Sequence, residues 1–153
     1  MLSQELIKQQ IERFLSLMGI TAQVAIEDRA GRLVFNIHTE DSSMLIGQYG
    51  GNLIALQHLV RLVARKLLPP EEQSTLNFIV DVEDYRKSRD EFLVELARQA
   101  AERARETRQT LVLKPMSSYD RFVIHTQLAE FSDLTTESIG EEPERRVVIK
   151  PKV

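Results

Sequence analysis

Hydrophobic positions recur along this chain with two different periods, and the switches between them outline its elements. Ile7, Ile11, Phe14 and Met18 follow helical spacing, with Ser3 as a cap and Gly19 as a stop. Val24 and Ile26, then Leu33, Phe35 and Ile37, alternate on either side of Asp28-Arg29-Ala30-Gly31, the pattern of a β-hairpin. A short segment from Ser42 to Ile46 leads into Gly47-Gln48-Tyr49-Gly50. Leu53, Leu56, Val60, Val63 and Leu67 then mark one face of a helix that Pro69-Pro70 closes. Leu76, Phe78, Val80 and Val82 return to period two and predict a third strand.

A second series starts near Asp84 with almost no linker. Phe92, Leu96, Gln99 or Ala100, and Arg103 or Ala104 continue a long helix whose alanine-rich face suits close packing. Thr110 to Leu113 reads as a strand stopped by Pro115, and Ser117 or Ser118 caps a helix carrying Phe122, Ile124, Leu128 and Phe131. Leu134 to Ile139, the turn Gly140-Glu141-Glu142-Pro143, and Arg146 to Ile149 form a closing hairpin. The pattern divides the 153 residues into two small domains, 1–83 and 84–153.

Composition narrows the chemistry. Hydrophobic content of 42% supports a buried core. The absence of cysteine excludes disulfides, thiolate metal sites and thiol catalysis, and suits a reducing, cytoplasmic compartment. No secretory leader opens the chain. The uncharged stretch from Ser42 to Val60 holds too many serines, glycines and amides to cross lipid, so no membrane partner is expected. A formal charge of −3 asks any phosphate-binding surface to be a local basic patch. Arg98, Arg103, Arg105, Arg108, Lys114 and Arg121 outnumber Glu102, Glu106 and Asp120 in one interval; a solvated helix face of mixed charge is the plainer reading.

The Gly-x-x-Gly turn between the hairpin and an amphipathic helix allows close approach of backbone to phosphate and points helix N–H groups outward. With the elements around it, roughly Leu2 to Val82 resembles the second topological type of KH domain. That likeness implies a three-stranded sheet with helices on one face and a clamp for about four nucleotides of single strand. It implies that Ile46 anchors the loop and that Gly47 and Gly50 let nucleic acid approach. Gly51, an extra glycine, loosens the turn or lets the helix start one residue later. Where basic residues are common between the glycines, this chain has Gln48, a hydrogen-bond donor, and Tyr49, a stacking ring. Binding should then be weaker and less sensitive to salt. Arg61, Arg65 and Lys66 on the next helix track a backbone or merely solvate it; the whole turn is otherwise a connector.

Arg121 and His125 stand four residues apart on a predicted helix and share a face suited to phosphate. The run Lys114-Pro115-Met116-Ser117-Ser118-Tyr119-Asp120-Arg121, then His125, Thr136 to Pro143 and Arg146 to Ile149, looks like the domain named for an Arg and a His three residues apart. It is similar in particular to the version in the bacterial Jag family, where that domain directly follows a KH domain; Val82-x-x-Tyr85-Arg86 fits the junction. The chain begins almost at the KH helix, without the N-terminal domain common in that family. The resemblance implies an α+β fold: a type II-like KH domain, then a small α+β domain with a three-stranded sheet and two helices. It implies a binder of single-stranded RNA, or single-stranded DNA, acting as a post-transcriptional or cell-growth regulator, with a small KH-domain protein as a partner. Phosphate would be held by Arg121 and His125 with help from Arg108 and Lys114.

His38 and His58 have no second metal-type ligand at a useful spacing, and Asp81, Glu83 and Asp84 read as a cap for the following helix. With no nucleophile elbow, Walker loop, zinc pattern or dinucleotide fingerprint, no catalysis, cofactor, metal or small-molecule substrate is expected. Two rivals remain: a KH-mediated interaction scaffold that binds RNA weakly, and a phosphoester-handling enzyme.

Overall fold

The computed structural model describes residues 2–73 and 77–152 and is mixed α+β, with two three-stranded sheets. The chain divides into two compact units, Met1–Arg86 and Lys87–Val153.

In the first unit α1 (Leu2–Leu17) precedes the hairpin β1 (Gln23–Arg29) and β2 (Arg32–His38). Then come α2 (Ser42–Ile46), a 3₁₀ turn (Gln48–Gly50), α3 (Gly51–Leu67), the short α4 (Pro70–Gln73) and β3 (Phe78–Val82). The hairpin turn is two residues long, Ala30 and Gly31, both left-handed at φ 54° and 78° as the twist of a tight hairpin requires. Asp28 Oδ1 accepts from the Gly31 N–H at 2.7 Å. Strand order is β1-β2-β3, with β1 antiparallel and β3 parallel to β2.

Helices α1 and α3 bury Ile7, Ile11, Leu15, Leu53, Leu56, Val60 and Ala64 in one core with Phe35, Ile37, Phe78 and Val80. Phe35 and Phe78 meet edge to face, centroids 5.4 Å apart, a contact that adds about 0.5–1.5 kcal/mol to the burial itself. The pattern reading needs adjusting in detail. Ser3 lies inside α1 instead of capping it, and Leu15, not Phe14 or Met18, completes the buried face. Ala64 takes the place given to Val63, and Leu67 is exposed. Leu76, assigned to the third strand, lies outside the described residues.

Alternation along β2 and β3 hides a second buried layer. Asn36 and Asp81 are buried, off the apolar core. Arg29 Nη1 reaches Asp81 Oδ2 at 3.2 Å and also pairs with Asp84, while Asn36 Nδ2 donates to Glu27 Oε1 at 3.1 Å. Asp81 Oδ1 accepts from the Arg86 N–H at 3.3 Å in the first turn of the following helix, the capping role read for that acidic cluster.

The second unit contains most of α5 (Tyr85–Thr107), then β4 (Leu111–Val112), α6 (Ser118–Leu128), β5 (Leu134–Ile139) and β6 (Arg146–Pro151). Its sheet has the order β4-β6-β5, antiparallel throughout. Leu93, Ala97, Ala100, Ala101 and Ala104 form the buried face of α5; Phe92, expected there, is exposed because the face is shifted by one residue. Ser117 caps α6, its Oγ accepting from the Asp120 N–H. Ile124 and Leu128 are buried, whereas Phe122 is 65% exposed. Phe131 follows the helix and lies under the Arg105 guanidinium, 4.4 Å from ring to cation.

Strand β3 ends its sheet, so every second residue turns backbone groups away from β2. Side chains from three sources satisfy them. Gln57 Oε1 accepts from the Val80 N–H at 2.6 Å, and Gln57 Nε2 and Arg61 Nη2 donate to the Phe78 carbonyl at 3.3 and 3.2 Å. Arg86 Nε donates to the Val80 carbonyl, and Asp81 Oδ1 accepts from the Val82 N–H. Gln57→Leu should therefore destabilise the unit by about 1–3 kcal/mol, the cost of a buried N–H left without an acceptor. Urea denaturation measures it; an unchanged midpoint would show that the edge does not depend on Gln57.

Candidate nucleic-acid interface

Two clusters stand out, one in each unit. In the first, the chain leaves α2 through Gly47 at φ 70°, ψ −177°, a conformation essentially confined to glycine. A Cβ there would lie 2.5 Å from Asn52 Cγ, and Asn52 is fixed because its Nδ2 donates to the Met44 carbonyl at 2.7 Å. Gly50 is left-handed at φ 77°, and a Cβ on it would come within 3.0 Å of the Tyr85 ring. Both motif glycines are thus demanded by space as well as torsion. Gly51 is different: it is right-handed, has open space beside it, and is the first residue of α3.

Between the glycines Gln48 is exposed, and Tyr49 is held left-handed at φ 54° with its side chain 38% exposed. Ile46 is half-buried against the core. Helix α3 begins without a side-chain cap, so its opening presents N–H donors and the positive end of the helix dipole. Met44 on α2 and Ile54 on α3 are both exposed near this turn. Arg61 and Arg65 lie elsewhere. Ten and fourteen residues along α3 from Gly51, they stand about 15 and 21 Å away at 1.5 Å per residue. They line a hollow of about 220 Å³ with Leu68, Gln73 and Phe78, and Arg61 is engaged with the β3 edge.

In the second unit Arg121 is 7% exposed. Its Nη1 donates to the Met116 carbonyl at 2.7 Å and its Nη2 to Glu142 Oε1 at 2.5 Å. His125, one turn on, has both ring nitrogens engaged: Nδ1 with Thr136 Oγ1 and Nε2 with Ser138 Oγ, each at 2.7 Å. One nitrogen of a neutral ring donates while the other accepts; a protonated ring donates to both hydroxyls, which turn to suit. Partial burial lowers the His125 pKa below its ordinary value, and the Arg121 charge lowers it further.

Thr136, Ser138 and Glu142 were not picked out as site residues by reading the sequence. The available signal is the period of β5, which puts positions 136 and 138 on one face; nothing local announces the reach of Glu142 to Arg121. Arg145 was missed too, and its guanidinium donates to the Gly140 and Ser138 carbonyls, bracing that hairpin. Lys114 and Arg108 are exposed, Arg108 in a left-handed residue just past α5. The wider basic interval is partly neutralised, since Arg98 pairs with Glu95 and Glu102, and Arg105 with Asp133. His38 faces Glu83 at 3.3 Å. Among the described residues no group of three His, Asp or Glu side chains is placed to hold a metal, and no helix is long and apolar enough to cross a membrane.

An α+β chain whose second sheet packs against a helix carrying a spaced Arg–His pair defines a recognisable class, and comparison with known proteins agrees. Residues 91–151 match the family model of the Arg-x-x-x-His domain, the one named for an Arg and a His separated by three residues. The chain belongs to the Jag family, in which a KH-like unit precedes such a domain. Its relatives include proteins named RNA-binding protein KhpB. The one from Clostridium symbiosum is 32% identical over 144 residues, covering 93% of this chain and 63% of that protein. Those from Lactiplantibacillus plantarum and Bacillus subtilis are 33% and 32% identical over 86% of this chain and 40% and 62% of theirs. The chain thus spans less than two thirds of the length of these relatives.

His125 in the free protein should titrate below about 6.5. Arg121→Ala should raise that value by removing the neighbouring cation, leaving the burial effect in place. The unfolded chain then binds more protons than the folded one near pH 6.5, so stability falls as pH drops through that value and levels off below the folded pKa. NMR titration of the imidazole protons is the check; a value at or above 6.5 would contradict the geometry.

Proposed function

We propose that this chain binds single-stranded RNA, with the glycine turn of the first unit as a backbone clamp and Arg121 and His125 of the second as a phosphate site. The observation that carries the reading is the pair of sterically demanded glycines at the uncapped start of α3. Backbone N–H groups and exposed Gln48 supply donors there, Tyr49 a stacking ring, and Met44 and Ile54 apolar surface for splayed bases. The naming of the relatives as RNA-binding proteins supports the same ligand. Exposed Lys114 and Arg108 add long-range attraction in the second unit. A cytoplasmic post-transcriptional or growth-regulating role follows from this reading. So does binding without turnover, because both His125 nitrogens are already engaged with hydroxyls instead of poised for proton transfer.

Leu59 and Leu62, three residues apart on α3, are both exposed and favour a second reading, in which this helix face docks a small KH-domain protein.

Single-stranded oligonucleotides should bind more tightly than duplexes of the same sequence at one stated salt concentration. Gln48→Asp with Tyr49→Asp should remove the contribution of the first unit without changing the circular dichroism spectrum. Equal affinity for both strand forms, or an unaltered affinity in the double variant, would leave the turn a connector.

In the second unit phosphate must take the place of the Glu142 carboxylate on Arg121. Glu142→Gln should tighten binding by about 0.2–1 kcal/mol, the usual worth of a part-exposed ion pair, whereas Arg121→Ala should weaken it. Phosphate also favours the imidazolium, so the bound-state pKa of His125 exceeds the free one. Affinity should then rise as pH falls through the bound-state pKa and level off below the free-state value. His125→Ala should flatten this profile in binding titrations; an unchanged profile would remove His125 from the site.

A further inference from the structure

The most exposed large apolar side chain among the described residues of the second unit is Phe122, 65% accessible, directly after Arg121 on α6. Successive helical residues are about 100° apart, and residues three or four apart are surface neighbours. Phe122 is therefore next to His125 on the solvent side of the helix, and Tyr119 is next to Phe122 in the other direction. The three side chains form a strip climbing toward the helix start, rising about 4.5 Å at each step. Tyr119 is 52% exposed, and its hydroxyl donates to Asp90 Oδ1 at 2.8 Å, which holds the ring in place. The core of the unit is closed by Ile124 and Leu128 and uses neither ring. A lone exposed phenylalanine needs no explanation. Two exposed rings in line with an Arg–His pair do, because aromatic faces accept any base and a nearby cation holds its phosphate.

We propose that Phe122, continued by Tyr119, is a stacking platform for unpaired bases of a single strand whose phosphate lies at Arg121 and His125. The proposal rests on the phosphate reading of that pair and adds the base-contacting half of the site. Stacking on a ring discriminates strands with bases from strands without them, and tolerates base identity. It also disfavours duplexes, whose bases are already stacked on each other.

The chain contains no tryptophan, so Phe122→Trp installs a single indole reporter at the platform. Full-length protein carrying this change should lose indole emission on titration with a short oligouridylate, and keep it with an abasic strand of the same length and phosphate number. Phe122→Ala should weaken oligouridylate binding roughly 5- to 150-fold, the span of one base stack on an aromatic ring, and leave abasic-strand affinity alone. Emission unchanged by bound oligouridylate would overturn the platform, as would equal affinities of Phe122→Ala and the unaltered chain. Concentration-dependent self-association that Phe122→Ala abolishes would overturn it too, by assigning the rings to an interface between copies. Failure of the underlying phosphate site reads differently: Arg121→Ala would then leave abasic-strand binding untouched.

Discussion

The outer edge of β3 is the constraint from which much of the first unit follows. A terminal strand in a sheet carries backbone groups that must find partners, and here they find side chains instead of another strand. Gln57 pins the middle of α3 to that edge, which sets where the helix begins and so where the glycine turn stands. Arg86 and Asp81 finish the edge from its other end, and Asp81 also receives the first turn of α5. Arg61 belongs to this arrangement, not to a surface that tracks nucleic acid. With the edge occupied, recognition by adding a strand is closed off, and the uncapped start of α3 is left as the donor-rich end of the unit.

The second unit solves a different problem: it keeps a cation nearly buried without a bound ligand. Arg121 is stabilised by a backbone carbonyl and by Glu142, and His125 stays neutral between two hydroxyls. Each of these partners is replaceable by a phosphate oxygen or re-orientable around one. The carboxylate is exposed and costs little to displace, while the carbonyl keeps the guanidinium aimed. A site of this kind places its positive charge locally, which reconciles phosphate binding with a chain whose formal charge is −3. It also makes the aromatic strip useful, since phosphate contacts position a strand but do not tell it from any other polyanion.

Element order was legible in the sequence because hydrophobic period is a local property: two, then 3.6, then two, punctuated by glycine and proline. So were the glycine turn and the Arg–His spacing. Exact faces were not. A helix of sixteen residues with apolar side chains at 14, 15, 17 and 18 permits more than one stripe, and the position of the sheet chose Leu15. Phe92 lost its place to Leu93 because alanines on α5 let the backbone come close, which fixed the rotation of the whole helix. Buried Gln57 read as a polar interruption of α3, since the need it answers arises only once β3 becomes an edge.

What the sequence determined by itself is the set of residues that must be special where they stand: Gly47 and Gly50 at a turn no side chain would enter, Ser117 at a helix start, Arg121 and His125 one turn apart. These depend on neighbours within a few positions. Tertiary structure alone decided their partners. Glu142 is 21 residues from Arg121, Ser138 is 13 from His125, and Tyr85 is 35 from Gly50, the residue whose missing Cβ leaves room for its ring. The physical reason is range: backbone torsion and side-chain period act over one or two turns, whereas desolvation and hydrogen-bond satisfaction act between whatever groups the closed fold brings together.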